Sequence, residues 1–130
     1  MKTKKYNSLA LVLICLISMN VYSEENKIIE VVKLENSTKI SDADSVNTAL
    51  SKVTEAVSKC RKSGGETTFC MCNQSELHDK LKTKVTTVLN KYPEWKSGAV
   101  NYLKEGIGYT VSFVGLSLQF KYFNESCNKK

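Results

Sequence analysis

Two cysteines one residue apart, Cys70 and Cys72 in the stretch Phe-Cys-Met-Cys, constrain this chain more than any other feature. Such a pair can serve as thiolate ligands, as a redox couple, or as one end each of two different disulfides. The compartment decides among these. Lys2, Lys4 and Lys5 form a basic head, residues 9–17 are an unbroken apolar run, and Ser23 offers a small residue two positions after Val21. Basic head, short apolar core and small-residue exit describe a secretory signal peptide over residues 1–23. The run is shorter than the roughly 20 apolar residues a membrane span needs, and Asn20 and the Glu24-Glu25 pair close it. Ile14 is too bulky to precede a lipid-bearing Cys15. Cleavage near Ser23 would leave 107 of the 130 residues and reduce five cysteines to four, Cys60, Cys70, Cys72 and Cys127. An even count in an oxidising, periplasmic or secreted location favours bridges over free thiols.

Removing the leader also weakens the basic character. Three of its lysines belong to the formal charge of +6, so the mature chain carries +3. That is thin support for nucleic acid or an anionic membrane as partner. The expected partner is a protein or envelope component, with no nucleic acid and no transmembrane segment in the mature chain.

Periodicity organises the rest. Residues 24–41 read as an N-terminal arm or a short strand, with β-branched Ile28, Ile29, Val31 and Val32 favouring the strand. Residues 42–62 carry apolar Ala43, Val46, Ala49, Leu50, Val53, Ala56, Val57 and Cys60 in steps of three and four, which is one helical stripe. Ser41 and Asp44 are spaced as a capping box, and Ser63-Gly64-Gly65 suits a left-handed C-terminal cap. A second helix is expected over 74–91 on Leu77, Leu81, Val85, Val88, Leu89 and Tyr92, with Asn73 and Glu76 as its capping box and Pro93 as its stop. A connection of about ten residues makes the two helices antiparallel neighbours. Ala99 to Leu103 and Tyr109 to Phe113 alternate as strands of a hairpin around Gly106. Leu116, Phe120, Phe123 and Cys127 step like a short C-terminal helix, although Leu116, Leu118, Phe120 and Tyr122 also alternate like a strand. The fold class is α+β, with residues 42–130 as one domain stapled by two disulfides.

Four cysteines allow three pairings. A Cys70–Cys72 bridge would close a small, strained ring. That leaves Cys60–Cys70 with Cys72–Cys127, or Cys60–Cys72 with Cys70–Cys127. Either way Phe-Cys-Met-Cys ties the first helix and the C-terminal tail. The local bridge is worth about 3 kcal/mol and the long one about 4 kcal/mol in the chain-entropy model. The rival arrangement is a zinc or copper site from Cys60, Cys70, Cys72 and His78, with Met71 as a soft extra ligand. Its spacing is not a strong zinc pattern, and it would strand Cys127. A thiol-redox role would use the same Cys70 and Cys72, but the expected spacing for such a pair is C-x-x-C.

No catalytic constellation is visible. His78 and Asp79 are helix neighbours whose side chains diverge by about 100°, and His78 is expected to be partly exposed at the edge of its stripe. Gly106-Ile107-Gly108 lacks the third glycine of a nucleotide fingerprint, and Gly64-Gly65 is not followed by Lys-Ser/Thr. Lys80, Lys84 and Lys91 form a row with no interleaved aromatics, which reads as a solvated face rather than a phosphate-binding one. Trp95 reads as a core anchor. No cofactor is expected.

From Cys60 to Cys127, the spaced cysteines with "FCMC", then "YPEW", "GLSLQF" and the final cysteine resemble uncharacterised small secreted proteins of Gram-negative bacteria. The resemblance implies the periplasm and carries over no functional residue. The sequence therefore leads to an expected function: an exported, non-catalytic, disulfide-stabilised binding or envelope-interaction module, with a periplasmic metal or thiol protein as the alternative.

Overall fold

The computed structural model describes residues 29–128; the expected signal peptide, Cys15 and the first residues of the arm lie outside them. The chain runs β1 (Val31–Lys33), α1 (Ser37–Lys62), α2 (Thr67–Cys72), α3 (Ser75–Lys91), a 3-10 turn (Pro93–Ser97), β2 (Ala99–Lys104), β3 (Ile107–Ser112) and α4 (Phe113–Cys127). It is an α+β fold with a three-stranded sheet in the order β1-β2-β3 and two disulfides.

α1 begins earlier than its apolar stripe suggests. Asn36 caps it, its Oδ1 accepting from the backbone N–H of Thr38 at 2.9 Å and of Lys39 at 3.0 Å. An asparagine side chain meets the orphan donors of a first turn well, so residues 37–41 join the helix instead of the arm. Ser41 and Asp44 are then interior and form no capping box. The second expected box is also absent. Asn73 closes α2, and α3 starts from Gln74 without a side-chain cap. At the far end of α1 the glycines act as expected. Gly64 adopts φ +99°, and the N–H groups of Gly64 and Gly65 return to the carbonyls of Arg61 and Cys60.

The stripes face one another. Ala43, Val46 and Val53 of α1 and Leu81, Val85 and Val88 of α3 are buried in a common core with Trp95, Val100, Tyr102, Val111, Phe113 and Leu116. Each such aliphatic or aromatic side chain contributes about 1.5–3 kcal/mol by leaving water. α1 and α3 run antiparallel: Asp42 near the start of α1 accepts from Lys91 and Tyr92 at the end of α3. Trp95 is 3% exposed and stacks on Tyr92 with centroids 4.2 Å apart, the anchor its composition suggests.

β2 and β3 make the expected hairpin, paired from Lys104↔Ile107 to Ala99↔Ser112. Glu105 and Gly106 turn the chain with φ of +54° and +80°, the geometry a two-residue hairpin loop requires. Phe113 leaves the strand and opens α4, because Ser112 Oγ accepts from Gly115 N at 2.9 Å and starts the helix there. β1 adds in parallel to β2, Val31 opposite Ala99. Gly98 permits this: a Cβ there would lie 2.4 Å from the Glu30 carbonyl oxygen.

Candidate ligand cleft over His78

Cys60 joins Cys70, and Cys72 joins Cys127. The choice between the two pairings follows from α2. Glu66 Oε1 accepts from Phe69 N at 3.2 Å and starts a short helix within the connection between α1 and α3. On a helix, residues two apart point about 200° apart. Cys70 therefore faces α1 and is fully buried, while Cys72 faces α4. Gly65 lies against the first bridge, where a Cβ would meet Cys70 Sγ at 2.4 Å and Cys60 Sγ at 2.8 Å.

The three sulfurs of the rival metal set are thus held in S–S bonds, and a disulfide sulfur is not a thiolate ligand. Among the described residues, no group of three or more His, Cys, Asp or Glu side chains is placed to hold a metal ion.

His78 departs from its expected exposure. It is buried, 3% exposed, and stacks on Phe123 of α4 with ring centroids 4.0 Å apart and planes 27° apart. A helix from the far end of the chain covers what the local pattern places at the stripe's edge. Among the described residues, neither Nδ1 nor Nε2 has a hydrogen-bond partner. An unsatisfied buried polar atom costs about 1–3 kcal/mol, so this ring is an expensive core residue. Burial holds its pKa below the usual 6.5, and the charge of Asp79 opposes that only in part.

The ring lines a cleft of about 560 Å³ bounded by all four helices, within the size range of small-ligand sites. Val53 and Val57 of α1 and Met71 of α2 supply its apolar surface. Ser58 of α1 and Gln119 of α4 add neutral polar groups, and Arg61 and Lys62 bring positive charge. Every charged side chain that lines it is basic. Met71 thus reaches the cleft, although its neighbours on both sides are tied into disulfides.

His78 and Asp79 diverge as the helix dictates. Asp79 lines a separate groove of about 710 Å³ between α1 and α3, where Lys80 and Lys84 also lie beside Thr83 and Thr87. Lys91 instead binds Asp42. The lysine row is therefore divided, part lining an open groove and part closing the helix pair.

Two aspartates hold contacts that local spacing does not announce, Asp44 among them in place of its expected capping role. Asp42 Oδ2 accepts from Lys91 Nζ at 2.9 Å and Tyr92 Oη at 2.8 Å. Asp44 accepts from Tyr102 Oη at 2.8 Å and Lys104 Nζ at 2.7 Å. The lysine hydrogen bond dominates in each case and holds both carboxyls below the ordinary value of 3.8, against the opposing effect of burial. The Tyr102 phenol is pushed up, first by burial and then by its bond to Asp44. A tyrosine held so firmly protonated is a clamp between α1 and the hairpin, not a nucleophile. No helix among the described residues is long and apolar enough to cross a membrane. No protein-family model matches the chain, and neither a curated protein nor a solved structure matches it.

Proposed function

We propose that the protein is an exported, disulfide-stapled, non-catalytic binding module whose ligand site is the cleft over His78. One observation carries the reading. A histidine with two unpartnered, buried nitrogens lines a cleft of ligand size, and buried polar groups left unpaired mark sites that a ligand completes. Two disulfides and the lack, among the described residues, of a membrane-spanning helix are compatible with export. The non-catalytic part rests on chemistry. A lone histidine without a hydrogen-bonded nucleophile or orienting acid lacks the geometry of acid–base or nucleophilic catalysis. The metal or thiol alternative requires these bridges to open.

The test is ligand screening by NMR on the oxidised protein, with a mixed set of small neutral, cationic and anionic compounds. Saturable shifts of the Met71 methyl and the His78 ring proton support the reading. Compounds that shift neither residue, across all three classes, sink it. Intact-mass measurement on protein taken from cell fractions tests the export part. It should give a chain beginning near Glu24, four hydrogens lighter than the reduced form, outside the cytoplasm.

A further inference from the structure

We infer that the cleft over His78 takes a small amphipathic anion, a carboxylate carried on a short apolar chain; this rests on the cleft being the ligand site. The lining divides by chemistry. Val53, Val57 and Met71 offer apolar contact, and a purely polar anion such as phosphate would have to desolvate against them at a cost. Arg61 and Lys62 are the charged side chains at the cleft, and among the described residues no carboxylate lines it to oppose an anion. The guanidinium fork matches a planar carboxylate by two parallel hydrogen bonds.

His78 fits the same occupant. Its imidazole is held neutral by burial and lies beneath the cleft, both nitrogens closed to solvent and without a partner among the described residues. A turn of the ring toward the cleft would give a carboxylate oxygen one N–H to accept from. The Gln119 amide and the Ser58 hydroxyl can supply further donors from α4 and α1. A cationic ligand would meet Arg61 and Lys62 with no compensating acid. A neutral apolar ligand would cover the floor but leave His78 and the two cations unused.

The experiment compares hexanoate with hexan-1-ol and acetate, read from the Met71 methyl and His78 ring signals of the oxidised protein. Hexanoate should bind saturably and at least about tenfold more tightly than hexan-1-ol or acetate, the size expected of one charge-assisted hydrogen bond. The variant R61A/K62A, altered only at exposed side chains, should lose about tenfold in hexanoate affinity and leave hexan-1-ol binding unchanged. Hexan-1-ol binding as tightly as hexanoate, or hexanoate binding untouched in R61A/K62A, overturns the anion assignment while the cleft stands. Silence of both signals toward hexanoate also overturns it. A hit from the neutral or cationic compounds then preserves the cleft as a site, and silence toward every class removes both.

Discussion

His78 of α3 stacks on Phe123 of α4 at 4.0 Å, with neither of its ring nitrogens hydrogen-bonded. This contact packs the C-terminal helix against α3, and burial favours the neutral form of the ring. The folded pKa lies below 6.5, mainly through burial, so the folded state binds its proton less readily than the unfolded chain. The stabilisation is therefore fully present above 6.5 and is lost as the pH falls through the lower folded value. The charge of Asp79 on α3 relieves part of the penalty. Urea unfolding should show stability falling from pH 7.5 to pH 5. In His78→Phe that fall should be smaller. An equal fall in the variant would assign the pH response to other groups.

Gly65 and the Cys60–Cys70 bridge occupy one another's space. A methyl at position 65 would lie 2.4 Å from one sulfur and 2.8 Å from the other. Gly65→Ala should destabilise the oxidised protein by about 1–3 kcal/mol, the cost of forcing extra volume into a packed site. Gly64→Ala faces open space and bears only the strain of its left-handed backbone, about 1–2 kcal/mol. Removing the bridge itself, in Cys60→Ala/Cys70→Ala, should make Gly65→Ala less costly. An undiminished cost in that background would show that the clash is not with the sulfurs.

The two bridges should differ in worth. Cys60–Cys70 spans 10 residues and Cys72–Cys127 spans 55. The chain-entropy argument assigns about 3 kcal/mol to the first and about 4 kcal/mol to the second. Cys72→Ser/Cys127→Ser should therefore lower stability more than Cys60→Ser/Cys70→Ser. The longer bridge also ties α4 down, so its loss should expose amides near His78 to faster hydrogen exchange. Equal losses in both variants would mean that strain or residual unfolded structure outweighs loop length.

Local period made the helices, the hairpin and the C-terminal helix legible, because each repeats its apolar residues within a few positions. What escaped depends on partners distant in the chain. β1 pairs with β2 only because Gly98 lets Glu30 approach, and no local pattern announces a parallel partner. The C-x-C pairing stayed open because the connection holding it gave no sign of helix, and helix phase is what separates Cys70 from Cys72. His78 read as an edge residue because Phe123, which covers it, belongs to another helix. The cleft draws on four helices, so no short motif encodes it. Asn36, an asparagine just before a helical run, carries the capping signal that Ser41 and Asp44 do not supply.

Asp42 and Asp44 share a pattern and differ in consequence. Each accepts a tyrosine hydroxyl and a lysine ammonium, one tying α1 to the end of α3, the other tying α1 to the hairpin. Lys91 and Lys104 are about half exposed, and such ion pairs contribute little in water. The tyrosines decide the difference. Tyr102 is 2% exposed, whereas Tyr92 is only half-buried. Removing the acceptor of Tyr102 leaves a buried hydroxyl without its partner, at about 1–3 kcal/mol. Tyr92 can recover a water. Asp44→Ala should therefore destabilise clearly more than Asp42→Ala in urea unfolding. The double variant Asp44→Ala/Tyr102→Phe should recover part of the loss, because it removes the stranded hydroxyl along with its acceptor. Failure of that recovery would assign the cost of Asp44→Ala to the lysine or to helix packing instead. Acid should act on both sites alike: with folded pKa values below 3.8, their contribution is present above that value and is lost as the pH falls through the lower folded values. This separates them from the His78 response, which begins higher on the pH scale.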